Sequence, residues 1–501
     1  RAASALELAR RRDALERAFT RVLDGWKRGR VRAGGLGLFY FGDQRFVLSE
    51  LVALELALDA SETGRERALD AWMRAQSVGS LSRALDLAEV SLDEVRGALL
   101  APGTGLLVYL PAPQSSYVFA VDGSGIVSAP LAADSELDAR RRAVSEWLSV
   151  SPVALTGEGE REERARALAA SIDALSRALL PDAIDARVRG WTSVIVVGAD
   201  VLGSAPFECL TTADGRVLGL DFALSHLPSL QVGVHLARAC DARPRERDVC
   251  VFAASQADPD LRAQFGIAGD FVFGDAERER VASPFASERV SFVSASDATV
   301  DRLLVEPFER TAVLSIFAHG VYDLERERPA GLLLAARVGR SSVLWSDDVE
   351  RGRWPPLVVL LACGAARGPM RPGDDVGGHL GHAFFAGGAS AVVLNSFDMP
   401  YGGALTLASA MHRELAQEHG AAEALRRARR ALASEPATND PHFYGSLRLL
   451  GLGVTRVGAA PALPQARASD TRPITWLVVG VVLCACAVGL RRSRLPRSSG
   501  R

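Results

Sequence analysis

In the first hundred residues, apolar positions recur at three- and four-residue spacing with charged residues between them, the period of amphipathic helices. This pattern predicts helices at Ala3–Arg21, Phe46–Leu58, Arg65–Ala75, Leu81–Ala88 and Ser91–Leu99. In the last of these, Ser91 followed by Glu94 forms a capping box. Helices paired in this way suggest the end of a helical-repeat array, although no clean period of about 34 residues runs through them. Pro102-Gly103 ends the region. Short strands follow at Leu106–Leu110, Tyr117–Val121 and Ile126–Leu131, with Asp122-Gly123 as the turn between the last two.

From there the pattern alternates. Helices at Ser135–Leu148 and Glu160–Leu179 precede uninterrupted apolar runs at Ser193–Val197 and Asp248–Ala253. Leu332–Ala336 and Ser342–Trp345 can pair as a hairpin, and Val321–Pro329 before them is a charged loop. A helix over Asp374–Phe385, a strand over Ala389–Asn395, helices over Ala404–Gln417 and Ala421–Ser434, and a last strand over Phe443–Leu450 complete the series. Strands separated by helices predict an α/β fold, a mostly parallel sheet with helices on both faces.

Two of the apolar runs carry candidate chemistry. Thr311–Gly320, TAVLSIFAHG, and Leu357–Gly364, LVVLLACG, both read as strands buried on two faces, because their apolar residues do not alternate. One ends in His319-Gly320 and the other in Cys363-Gly364, and parallel sheets gather reactive groups just past the carboxyl ends of their strands. If the two strands are neighbours, an imidazole faces a thiol, the pair a cysteine nucleophile needs for proton transfer. The glycines let backbone approach a substrate closely. Spacing alone fits equally well a buried free cysteine and an unrelated histidine.

Composition narrows the partners. The 501 residues carry a net charge of −2, which gives no electrostatic reason to expect nucleic acid. There is no GxxxxGK[ST] loop for a nucleotide and no HExxH, and neither a metal nor a cofactor is expected. All but one of the 58 basic residues are arginines, a bias of coding rather than of function. The six cysteines are scattered, which argues against a disulfide framework and for a reducing compartment. The chain opens at Arg1 rather than a methionine, which leaves room for upstream sequence.

Beyond residue 457 the composition changes. Residues 458–473 have the Ala, Pro, Arg and Ser content of a linker. Ile474–Leu490 contains no charged residue and would span roughly 25 Å as a helix, against a hydrocarbon core of about 30 Å. It is expected to cross a membrane once and so to contact lipid, and residues 491–501 form a basic tail. The positive-inside rule keeps such a tail cytoplasmic, which with one span puts the rest outside. The free cysteines point the other way, to a cytoplasmic catalytic domain anchored by its tail, and that is the expectation adopted.

Ordered blocks from Leu106 to Gly451 then give a resemblance. LLVYLPAP from Leu106, SVIVVGADVLGSAPFECL with Pro206-Phe207-Glu208, LSHLPSL, FAHG, LLACG, GHAFFAGGASAVVLNSF, EALRRARRAL and PHFYGSLRLLG follow one another in sequence. Together they resemble the CHAT domain family, caspase-like and separase-like cysteine peptidases of clan CD. The implied domain occupies residues 101–457, and the helices of residues 1–100 resemble the TPR-like repeats that precede such domains and serve protein contacts. The resemblance implies a bacterial endopeptidase with Cys363 as nucleophile, His319 as general base and acid, and the backbone N–H groups of Gly320 and Cys363 as oxyanion donors. Its partner would be a protein substrate or regulator.

The chain also departs from the family pattern. Leu361 and Ala365 replace the Ser or Thr common near the cysteine, Phe397 replaces a tryptophan, and Tyr401 falls where an acidic residue would. Asp375, near the start of its helix, and the displaced Asp398 are therefore the candidates for a substrate pocket. The departures also keep open a catalytically silent scaffold of the same fold.

Overall fold

The computed structural model describes residues 5–27, 36–76, 85, 87–239, 246–267, 269–322, 330–365 and 379–457. Its centre is an eleven-stranded sheet with the order β3-β2-β1-β4-β5-β14-β13-β12-β8-β6-β7. The strands are β1 Thr104–Leu110, β2 Ser116–Asp122, β3 Gly125–Leu131, β4 Ser193–Val197, β5 Ala223–Leu227, β6 Arg247–Ala253, β7 Val290–Ser294, β8 Thr311–Phe317, β12 Leu357–Leu361, β13 Ala391–Asn395 and β14 Leu447–Gly451. A separate three-stranded sheet joins β9 His319–Val321, β10 Gly331–Leu333 and β11 Val343–Trp345, all antiparallel.

The large sheet is mostly parallel, as the alternation of strands and helices predicts. Its antiparallel pairs are β1–β2, β2–β3 and β13–β14. Because β14 runs parallel to β5 but antiparallel to β13, the sheet is two half-sheets of opposite direction. β8 and β12 lie side by side in the second half, with every residue of both strands buried.

Helices cover both faces. One core cluster runs along one face of the whole sheet, joining Val108, Leu227, Ile316, Leu360 and Leu450. The N-terminal helices Ala5–Lys27, Leu36–Leu58, Glu62–Gln76 and Leu92–Leu99 feed Phe19, Leu51, Trp72 and Val95 into this same cluster, so their apolar stripes are buried against the sheet as well as against each other. On the other face the half-sheets have separate cores. Helices Asp134–Ser149 and Glu158–Leu179 cover the first, and Tyr401–Ala416 and Ala421–Ser434 the second.

The seam between the halves is thin. β5 and β14 share one registered pair, Leu450 with His226. There Glu208 takes a 2.9 Å contact from His226 Nε2 and faces Arg448 Nε at 3.6 Å and Arg429 at 3.7 Å, all fully buried. Although burial opposes ionisation, the two guanidinium groups and His226 pull the Glu208 carboxyl down to about 2. The Pro-Phe-Glu block therefore supplies the carboxylate that binds the two halves together.

Several expectations shift. The capping box at Ser91 is present, with Glu94 N–H donating to Ser91 Oγ at 3.2 Å. Leu87 and Ala88 are not helical, and most of the helix expected over Leu81–Ala88 lies outside the described residues. The last strand starts at Leu447 rather than Phe443, because Pro441 begins a helical turn capped by Asp440. Among the described residues no helix is long and apolar enough to cross a membrane. The span expected at 474–490 lies outside those residues, as do the loop 323–329 and Asp375.

Candidate active site

The site grows out of the register between β8 and β12. Their last registered pair is Phe317 with Leu361, and Ala318 N–H still reaches the Leu361 carbonyl at 3.5 Å. His319 and Cys363 each lie two residues past that pair, at the carboxyl ends of adjacent parallel strands. Both are half-buried, whereas the strands behind them are fully buried.

Two glycines make the approach possible, each for its own reason. A Cβ on Gly320 would stand 2.0 Å from the Cys363 carbonyl oxygen, so β9 can lie against the cysteine's backbone only if position 320 has no side chain. Gly364 has φ +58°. It is the third residue of the turn Ala362–Ala365, closed by Ala365 N–H to the Ala362 carbonyl at 3.3 Å, where a positive φ favours glycine. Both glycines therefore shape the protein's own backbone at the cleft.

The imidazole of His319 is held but not saturated. The backbone of Gly269 bonds it, the edge of its ring meets Phe271 with centroids 5.6 Å apart, and Asp270 and Arg262 are its charged neighbours. Nε2 is buried and has no hydrogen-bond partner among the described residues. Burial lowers the imidazole below its usual value and Arg262 adds to this, while Asp270 and Gly269 work the other way. The ring therefore binds a proton less tightly than a free imidazole.

Cys363 Sγ lies 3.9 Å from the carbonyl oxygen of Met399, in the segment after β13, and no hydrogen bond joins it to Nε2. Of the cysteines among the described residues, Cys209 and Cys250 are buried and Cys363 is not. Burial raises the Cys209 thiol strongly and the Cys250 thiol to about 11, so both stay protonated and unreactive.

Two more partnerless atoms border the site. Asn395 Oδ1 ends β13 and Tyr401 Oη begins the next helix, both buried without a hydrogen bond. Unsatisfied groups are rare in folded interiors, and those that persist often mark functional sites. Asp398 is exposed in the same segment, near enough to His442 to act on its charge. Among the described residues no cluster of His, Cys, Asp and Glu is arranged to hold a metal ion. Sequence reasoning missed Gly269, Phe271 and Met399. Two of these act through carbonyls that every residue possesses, so no residue type announces them.

Residues 169–485 match the CHAT domain family. No curated protein matches the chain in sequence. Among solved structures it is similar to separase from Saccharomyces cerevisiae in complex with securin, at 9% identity and a TM-score of 0.55. That match covers 82% of this chain and 36% of the separase chain, so the protein spans about a third of the length of that relative. The Arg-specific cysteine proteinase gingipain R matches at 10% identity with a TM-score of 0.37, over 66% of this chain and 75% of its own.

Proposed function

Since the chain belongs to the CHAT domain family and has the fold of the clan CD cysteine peptidases, we propose that it is a cysteine endopeptidase that cuts a protein partner. The observation that carries this reading is an imidazole with a partnerless Nε2, placed in register beside the one described cysteine that is not buried.

In this mechanism Nε2 of His319 takes the thiol proton of Cys363, and sulfur attacks the scissile carbonyl carbon. The oxygen that becomes negative is held by the N–H groups of Gly320 and Cys363. The intermediate collapses as His319 returns the proton to the departing amine, leaving a thioester. Water attacks the thioester, giving its proton to Nε2, and the new carboxyl product leaves as the thiol reforms. Asp398, and Asp375 with it, would favour a basic residue at the cut.

The test is cleavage of candidate partner proteins by the full chain, with Cys363→Ala as control. Cleavage that survives the substitution refutes the assignment. Thiol labelling decides between a peptidase and a silent scaffold, since in a scaffold Cys363 would react no faster after His319 is present than after it is removed. The N-terminal helices would recruit the partner, and Ile474–Leu490 would tether the chain to a membrane with its catalytic part on the cytoplasmic side. Release of the chain from membranes by alkaline carbonate would overturn the tether.

A further inference from the structure

The segments that hold the two members of the dyad come from distant parts of the chain, yet one ring contact joins them. Gly269 bonds His319, and two residues later Phe271 lays its ring against the edge of the imidazole. Met399 presents its carbonyl to Cys363, and two residues later Tyr401 opens the helix Tyr401–Ala416. Phe271 and Tyr401 are stacked, with centroids 5.0 Å apart and planes 27° from parallel. Tyr401 also makes a T-shaped contact with Phe317, the last residue of β8, with centroids 6.4 Å apart.

We infer that Phe271 and Tyr401 are positioning residues of the dyad: their stack fixes the Gly269 and Met399 carbonyls relative to each other, and with them the imidazole and the thiol. This rests on the Cys363–His319 reading. Neither ring touches a substrate in this scheme; both act through the backbone they anchor. The hydroxyl of Tyr401 is buried and bonded to nothing, so packing alone holds the ring. Removing that oxygen should therefore cost nothing, and removing the ring should cost the alignment.

The charged groups around the pair are Asp270 and Arg262 at His319 and Glu277 and Arg280 at Tyr401. Substitutions of the rings leave all four in place, so an altered pH profile reports geometry rather than charge.

The experiment measures alkylation of Cys363 by iodoacetamide in the folded full chain, from about pH 5 to about pH 9, the range over which activated and ordinary thiols separate. The proteins are the wild type, Tyr401→Phe, Tyr401→Leu, Phe271→Leu and, as the reference lacking a base, His319→Ala. Tyr401→Phe is expected to keep the wild-type rate and profile. Tyr401→Leu and Phe271→Leu are expected to lose about tenfold at pH 7, with a profile displaced toward an ordinary thiol, since about an ångström of misplacement is enough for such losses. Wild-type rates in both leucine variants would overturn the inference. So would a loss in Tyr401→Phe equal to that in Tyr401→Leu, because the hydroxyl rather than the stack would then be at work. A wild type no faster than His319→Ala is a separate failure: it removes the dyad, and with it anything for the rings to position. Phe271→Leu lies in a half-buried loop, so it keeps the question decidable if the helix-start variant does not fold.

Discussion

β8 and the residues just past its end take part in two pairings of a candidate nucleophile with an imidazole, and their contrast is instructive. In the strand's interior, Ser315 Oγ lies 2.7 Å from His412 Nε2, whose Nδ1 reaches the Val281 carbonyl at 2.9 Å. Both residues are fully buried, and Phe285 closes over the ring. Four residues further on, His319 shares no hydrogen bond with Cys363, and its Nε2 has none at all. By distance the first pair is the better dyad. It can do no chemistry, because every valence is filled and no substrate can enter. The second pair is half-buried rather than sealed, and its Nε2 is unused. What separates the two pairs is unspent hydrogen-bonding capacity together with partial exposure.

The contrast can be broken most directly at its nucleophiles. Cys363→Ala should lower turnover by at least about a thousandfold, as loss of a covalent nucleophile does. Ser315→Ala should leave turnover within a factor of about three and cost only about 1–3 kcal/mol of stability, from the unpaired His412 nitrogen. Comparable kinetic losses in the two variants would erase the distinction. Glu208→Gln tests a second sealed group. Uncoupling a buried ion cluster costs about 3–5 kcal/mol, which urea unfolding would register, while alkylation of Cys363 in the folded fraction stays unchanged.

The histidines provide the next test. Burial pushes His412 down to about 4. In the unfolded chain it takes a proton below about pH 6.5, while the folded chain resists protonation until about 4, so this residue makes stability fall as pH drops through that window. The loss amounts to roughly 3 kcal/mol at most, and His412→Gln should flatten that part of the stability profile. The smallest effect belongs to the open pair. Asp270 raises the His319 imidazole, so Asp270→Asn should move the acid limb of activity further down, by about one pH unit or less. The acid unfolding governed by His412 should not move with it.

Much of this arrangement could be read before the structure. Unbroken apolar runs at 311–317 and 357–361 identified doubly covered strands, and the residues after them marked the carboxyl edge where His319 and Cys363 lie. Ser193–Val197 and Ala421–Ser434 fall where their patterns put them. β5 stayed hidden because its sequence, ALSHL, places a serine and a histidine in a buried strand. Only the distant Glu208 makes His226 tolerable there, and pattern cannot see that far. β7, VSFVS, is a half-covered edge strand with too weak an apolar signal. Pro206-Phe207-Glu208 was visible as a motif, but its role depends on Arg429 and Arg448, more than two hundred residues away. The ring stack was equally illegible: Tyr401 stood out only as a departure from a family pattern, and nothing in its surroundings singled out Phe271.

The place of β14 has a consequence for the order of assembly. Residues 447–451 are the last of the described strands in chain order, yet they occupy the middle of the sheet, between a half made from earlier sequence and a half made from later sequence. Until they arrive, the half that bears Cys363 has an open flank and no partner for Glu208 from Arg448. A sheet of this topology cannot close piecemeal. The edge that bears His319 and Cys363 gains its covered flank only when this keystone drops in.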